Sequence, residues 1–183
     1  MCYNRIRDKK GVINIRGITH LTVGTAAGIA TAIACHPNNT IVSACVVGAT
    51  MIGSLYPDID NSKSMLGRKI KPISYVVNKL FGHRGFIHTP FNLLCLMLLT
   101  MFPMFLSNNY EALPIAIGFA VGFASHLFLD SITKGGISFL YPFTKKRFNL
   151  TTIKTGGLGE YLVVAFILAL SGGVAAITWM TTN

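Results

Sequence analysis

Long apolar runs separated by short polar clusters organise this chain, and the breaks predict five membrane-crossing helices over 18–35, 40–56, 89–107, 112–132 and 160–180. At about 1.5 Å per residue, each run crosses or nearly crosses a hydrocarbon core about 30 Å thick; the second is the shortest. The loop 61–82 is patterned differently. Leu66, Ile70, Ile73, Val77, Leu80 and Phe81 recur at helical spacing with lysines between them, which predicts an amphipathic helix on the inner leaflet, with Pro72 as a break. The stretch 137–150 sets Phe139, Tyr141, Phe143 and Phe148 beside Lys145-Lys146-Arg147, as in an interfacial segment with aromatic anchors and a basic surface. The fold expected is all-α. It is an integral membrane bundle of about five transmembrane helices with an interfacial helix between spans two and three, in a single domain over 1–183.

Composition agrees with a membrane setting. Only 12% of residues are charged, against about 25% in an ordinary soluble domain. The net charge of +10 would suit nucleic acid if the basic residues shared a folded surface, but they lie in loops, so topology accounts for them and no nucleic-acid partner is expected. Arg5, Arg7, Lys9, Lys10 and Arg16 precede span one. Lys63, Arg68, Lys69, Lys71, Lys79 and Arg84 lie between spans two and three, and Lys134, Lys145, Lys146, Arg147 and Lys154 between four and five. The alternate loops, 36–39 and 108–111, hold no Lys or Arg, so all 16 basic residues fall on one side. The positive-inside rule makes that side cytoplasmic, with the N-terminus inside and the C-terminus outside. His20 is an odd residue for a secretory signal's apolar stretch, which favours an uncleaved first span. Cys2, Cys35, Cys45 and Cys95 form no paired spacing and imply no disulfide framework.

Against this bland background the ionisable residues are concentrated. Thr19-His20, Pro57-Asp58-Ile59-Asp60, His83-Arg84-Gly85-Phe86-Ile87-His88 and His126-Leu127-Phe128-Leu129-Asp130 each sit at the cytoplasmic end of a span. Ionisable groups near a bilayer are costly unless paired or solvated, so their gathering at one depth points to a shared site. Taken singly, His126–Asp130 could be a hydrogen-bonded pair, Asp58 and Asp60 could cap a turn, and His20 could be structural. Together, His20, Asp58, Asp60, His83, His88, His126 and Asp130 read as metal ligands. Imidazole with carboxylate suits a divalent ion: zinc, manganese or iron. Seven ligands exceed the need of one structural zinc, and one ion or two are open; paired ions activate water and clamp phosphoryl oxygens. Stripes at spacing four, His20-Gly24-Gly28 and Gly118-Gly122-His126-Asp130, aim these histidines at neighbouring helices. Arg84 could neutralise an anionic substrate or reach lipid phosphate. Gly135-Gly136 allow a tight turn, and Glu160 opens span five on the same face.

Taken in order, these motifs resemble the YdjM family of bacterial inner-membrane, metal-dependent hydrolases. Gly135-Gly136-Ile137 and Leu140-Tyr141-Pro142-Phe143 resemble its glycine-then-aromatic-Pro-Phe stretch, and the match spans roughly 17–143. The resemblance implies a multi-pass protein of the bacterial cytoplasmic membrane and a hydrolase distantly related to zinc-dependent phospholipase C and single-strand nucleases. It carries metal-site roles to His20, Asp58, His83, His88, His126 and Asp130, with Asp60 joining them. Thr89 stands where serine is common, and Lys134 where a polar or aromatic residue precedes the glycine.

The expected function is metal-assisted hydrolysis of a phosphoester, such as a phospholipid head group, with membrane lipid as partner. Asp58, Asp60 or Asp130 is available as base or bridging ligand, and Arg84 to steady developing charge. The alternative is a non-catalytic membrane protein with a structural metal, either a metal carrier or a module docking a protein partner through Lys145-Lys146-Arg147. A carrier needs polar residues through the membrane's middle, and the outer halves of these spans are bland.

Overall fold

The computed structural model describes the backbone of residues 3–35, 37, 39–144, 146–151, 153 and 157–182, and the side chains of these apart from 3–16, 160, 175, 179 and 182. Cys2, His36, Lys145 and Lys154, and the side chains of Arg5, Arg7, Lys9, Lys10, Arg16 and Glu160, therefore lie outside the described residues. Six α-helices follow in order: α1 (Tyr3–Cys35), α2 (Thr40–Leu55), α3 (Lys71–Phe81), α4 (Pro90–Ser107), α5 (Leu113–Ser131) and α6 (Leu158–Thr182). Five segments are long and apolar enough to cross a membrane: Gly17–Cys35, Thr40–Asp60, Pro90–Ser107, Leu113–Ser131 and Tyr161–Thr178. They match the expected spans to within a few residues. The basic N-terminal segment departs from expectation by continuing the first span as helix back to Tyr3.

The bundle is built around α2, which packs against both α1 and α5, while α6 leans on α1 and α4 on α5. Small residues dictate this arrangement. Lipid is as apolar as leucine, so membrane helices associate through close van der Waals packing, which small residues permit. Val46, Thr50 and Ser54 form a fully buried stripe on α2. The α1 stripe meets it where Gly24 lies against Ser54 and Gly28 against Thr50, and the α5 stripe where Gly122 lies against the Thr50 carbonyl. A Cβ on Gly122 would run into that carbonyl, and one on Gly53 into the Phe119 carbonyl. By contrast, 6% of the α4 span and none of the described residues of the α6 span is buried, so both present leucines and phenylalanines outward.

The connection from α2 to α4 bears most of the polar groups. Pro57 follows α2 and opens a 3-10 turn, Tyr56–Asp60. Residues 61–70 are turns, pinned where Ser64 Oγ donates to the Asp58 carbonyl (2.8 Å) and Gly67 N to Ser64 Oγ (2.9 Å). Helix α3 starts at Lys71, so Pro72 sits in its first turn instead of breaking a longer helix, and Leu66 and Ile70 precede it. Proline is tolerated there because the first-turn N–H groups have no helical partner. The helix leaves Ile73, Val76 and Leu80 exposed. The segment 137–150 is irregular, closed by an antiparallel bridge between Ile137 and Phe148 (Phe148 N to Ile137 O, 2.8 Å). Ile137 is buried against Phe123 and Leu127, while Phe139, Phe143 and Phe148 remain exposed.

Candidate metal centre

Four chain segments deliver the clustered side chains to one point. His20 lies on the α2-facing side of α1, and His126 and Asp130 on successive turns of α5. Asp58 and Asp60 come from the 3-10 turn after α2, and His88 from a second such turn, Phe86–His88. That second turn is held by its neighbours. Thr89 Oγ1 donates to the Phe86 carbonyl (2.7 Å) and accepts from Asn92 N (3.1 Å), capping α4, while Asn92 Nδ2 donates to the Ile87 carbonyl (3.3 Å). His88 is thereby locked between a capped helix start and the bend at Arg84, whose φ is +59°, rare outside glycine.

The rings converge on one carboxylate. The Nε2 atoms of His88 and His126 lie 3.7 and 3.8 Å from Asp130 Oδ2, and His20 Nε2 lies 3.9 Å from Oδ1. These gaps are too long for hydrogen bonds. They are close to the roughly 3.4 Å separating two ligands that sit about 2.1 Å from a shared tetrahedral ion. His20 and His126 stack with ring centroids 3.9 Å apart and 15° between planes. Two triads have ligand atoms mutually within 4.8 Å: His20, His126 and Asp130, and Asp58, His88 and His126. This His/Asp cluster, buried except at Asp58, could hold a metal ion.

The far side of the rings shows how the cluster could accept a cation. His126 Nδ1 lies 2.6 Å from the Ser54 carbonyl, which can only accept, so the proton sits on Nδ1. Neutral His126 then turns an unprotonated Nε2 toward Asp130, and that atom is buried without a hydrogen-bond partner. Two acceptors 3.8 Å apart repel unless a positive charge lies between them. Asp60, fully buried, does for His83 what Ser54 does for His126, and sets its other oxygen against His88 Nδ1, which makes no hydrogen bond. Its Oδ2 lies 3.0 Å from His88 Nδ1 and accepts from Arg84 N (2.8 Å), while Oδ1 lies 3.0 Å from His83 Nδ1. Carboxylate and carbonyl partners of this kind fix the tautomer and orientation of metal-binding imidazoles.

The seven residues singled out from sequence thus fall into two sets. His20, Asp58, His88, His126 and Asp130 make up the triads; Asp60 and His83 stand just outside them, joined to each other. His83 is the accessible member, its side chain 46% exposed. Arg84 turns inward, with Nη2 3.0 Å from Asp130 Oδ1 and Nη1 3.1 Å from the Gly136 carbonyl. Its guanidinium fills the space a Cβ on Gly135 would take, so that glycine serves an arginine and leaves no open cradle for phosphate. Arg84 ties the centre together, its backbone to Asp60 and its side chain to Asp130. The Ser54 carbonyl was not foreseen. A main-chain acceptor leaves no mark in a sequence, although the buried Val46-Thr50-Ser54 stripe at spacing four was there to be read.

A family model described as YdjM inner membrane protein matches residues 15–182. Among curated relatives, the uncharacterized protein YvsG of Bacillus subtilis is 38% identical over 152 residues, covering 81% of this chain and 87% of the relative. The inner membrane protein YdjM of Escherichia coli is 35% identical over 106 residues, covering 57% of this chain and 53% of the relative. No solved structure matches.

Proposed function

This chain belongs to the YdjM family of inner membrane proteins, a multi-pass protein by its apolar helices, and on that footing we propose that it is a membrane-bound metal-dependent hydrolase acting on a phosphoester at the cytoplasmic face. The observation that carries the reading is the convergence of three imidazole Nε2 atoms on Asp130 at 3.7–3.9 Å. The remote nitrogen of the His126 ring is held by the Ser54 carbonyl, and that of His88 lies 3.0 Å from Asp60. His20, Asp58, His88, His126 and Asp130 would hold one or two divalent ions, with zinc the best fit to an N/O set lacking thiolate and manganese or iron also suited. His126 offers a single free nitrogen, so the two triads are parts of one centre. Asp130, with two oxygens facing different rings, is the group able to bridge.

A divalent ion there supplies Lewis acidity toward a phosphoryl oxygen and toward water. The protein's own groups do the rest. Asp60 orients His83 by a hydrogen bond and lies against His88. Arg84 holds Asp130 in place and offsets its charge. Asp58, less buried than Asp60, is positioned to take a proton from water, and His83 stands at the accessible side with Asp60 behind it. The basic loops on the site side support a cytoplasmic orientation by the positive-inside rule, which would put the N-terminus inside and the C-terminus outside.

The near-complete burial of His88 and His126 favours a second reading, a closed structural metal site in a non-catalytic protein. The hydroxyls of Thr25, Thr31 and Thr50, in the apolar spans, donate to carbonyls of their own helices, which does not favour a carrier. Elemental analysis of the purified protein, paired with turnover of phosphomonoesters and phosphodiesters, decides between the two. Bound metal with turnover abolished by chelator supports the hydrolase. Bound metal with no turnover of any ester supports the structural site, and absence of metal overturns both.

A further inference from the structure

Residues 137–141 separate two recesses of opposite character. On one side lies a polar recess of about 260 Å³, lined by His83, Arg84, Ser138, Tyr141 and Arg147 among others, with no carboxylate in its lining. On the other side is an apolar groove of about 570 Å³ between α4, α5 and this segment, formed by Leu93, Ala124, Leu127, Phe139, Leu140 and Phe148 with a few neighbours. That volume is within the roughly 300–1,000 Å³ of small-molecule sites. Side chains from one short stretch divide between them: Ser138 and Tyr141 face the polar recess, Ile137, Phe139 and Leu140 the groove.

The groove is also backed by the metal centre. Leu127 and Ser131 line it and directly follow His126 and Asp130, and Pro90 lies two residues after His88. The dividing stretch is anchored at its start, and Arg147 ties the segment that follows it to the His83 turn. Ile137 pairs with Phe148, Arg84 Nη1 donates to the Gly136 carbonyl, and Arg147 Nη2 approaches the His83 carbonyl at 3.4 Å. The fold therefore holds a cationic recess and an oily groove in fixed relation, both beside the presumed reactive centre and at the ends of two spans.

We propose that these recesses together take one anionic lipid. Its phosphate would sit by Arg147 and His83 and its hydrocarbon tail in the groove against Leu127 and Phe139. The choice of a phosphate rests on the phosphoester reading above; the tail site rests on the groove alone. Arg147 supplies the cation not committed to a carboxylate, with His83 beside it, while Arg84 remains on Asp130; a recess lined this way suits an anion. A groove with almost no polar lining, at membrane depth, suits methylenes. A water-soluble ester would use only half of the arrangement.

Native mass spectrometry of the full-length protein in detergent tests this, with phosphatidic acid, diacylglycerol and phosphatidylcholine of one chain length and with glycerol 3-phosphate as probes. One phosphatidic acid is expected to be retained at concentrations where the other three are not. Ala124→Trp, which fills the groove, is expected to lower retention roughly tenfold, as for two methylenes left unburied. Phe139→Ala, on an exposed side chain that risks little in folding, should lower it less, and Arg147→Gln should bring phosphatidic acid down toward diacylglycerol. Equal retention of the neutral lipids, or unchanged retention in both groove variants, overturns the lipid site. Selective retention with no turnover of any phosphoester keeps this site and removes the hydrolase; turnover of soluble esters without lipid selectivity does the reverse.

Discussion

Gly135→Ala is the most informative single perturbation, because its whole effect should pass through another residue. The added methyl would occupy the place of the Arg84 guanidinium, which is buried and bonded to Asp130 and to the Gly136 carbonyl. An arginine tip on a protein surface would swing aside at little cost. This one cannot move without giving up two charge-assisted bonds, each contributing about 1.5–3 kcal/mol. Partial recovery elsewhere leaves an expected loss of about 3 kcal/mol. Arg84→Ala, which leaves the Asp130 carboxylate buried and uncompensated, should cost about 3–5 kcal/mol. The decisive quantity is the double variant. With the guanidinium gone, the methyl has nothing to displace, so the pair should cost no more than Arg84→Ala alone. Unfolding by titrated SDS in mixed micelles measures all three. Additive losses, or a Gly135→Ala loss within about 0.5 kcal/mol, would refute the idea that this glycine exists to admit the arginine.

Four further outcomes follow from the same geometry. Asp60→Asn retains one acceptor but turns an N–H toward a histidine, so zinc affinity by competition with a chelating dye should fall about 10–100-fold while the fold survives. His126→Ala removes the one residue common to both triads and should abolish stoichiometric metal on elemental analysis; full retention would exclude His126 as a ligand. Because protons compete for the same imidazole nitrogens, wild-type metal retention in dialysis should decline as pH is lowered and be indifferent to a rise from neutrality. Gly122→Leu should separate α5 from α2 at Thr50 and lower the thermal midpoint more than Gly172→Leu, whose position has open space around it.

The spans were legible because membrane crossing imposes length and apolarity, and both survive in a linear sequence. Small-residue stripes on α1 and α5 also announced their packing, since a glycine every fourth residue has few other uses on a lipid-facing helix. Less could be read where one residue type serves two purposes. A carboxylate beside histidines can bind an ion or brace the histidine that binds it, and nothing in Asp58-Ile59-Asp60 separates the two. Depth distinguishes them: Asp60 is fully enclosed with both oxygens engaged, whereas Asp58 is not. Arg84 was ambiguous for the same reason. Its charge suggested substrate or lipid, and only the space left by Gly135, 51 positions along by number, turns it toward Asp130. The α3 boundary was missed because periodicity continues through Leu66 and Ile70, although their backbone forms turns.

One consequence concerns heritable change. The proton on His126 is fixed by the carbonyl of Ser54, in the last turn of α2, where oxygens have no partner within the helix. Every amino acid carries that oxygen. Residue 54 could therefore be exchanged for any small neighbour without disarming the histidine, whereas lengthening α2 past Pro57 would claim the oxygen for the helix. What keeps this imidazole ready is the place where a helix stops.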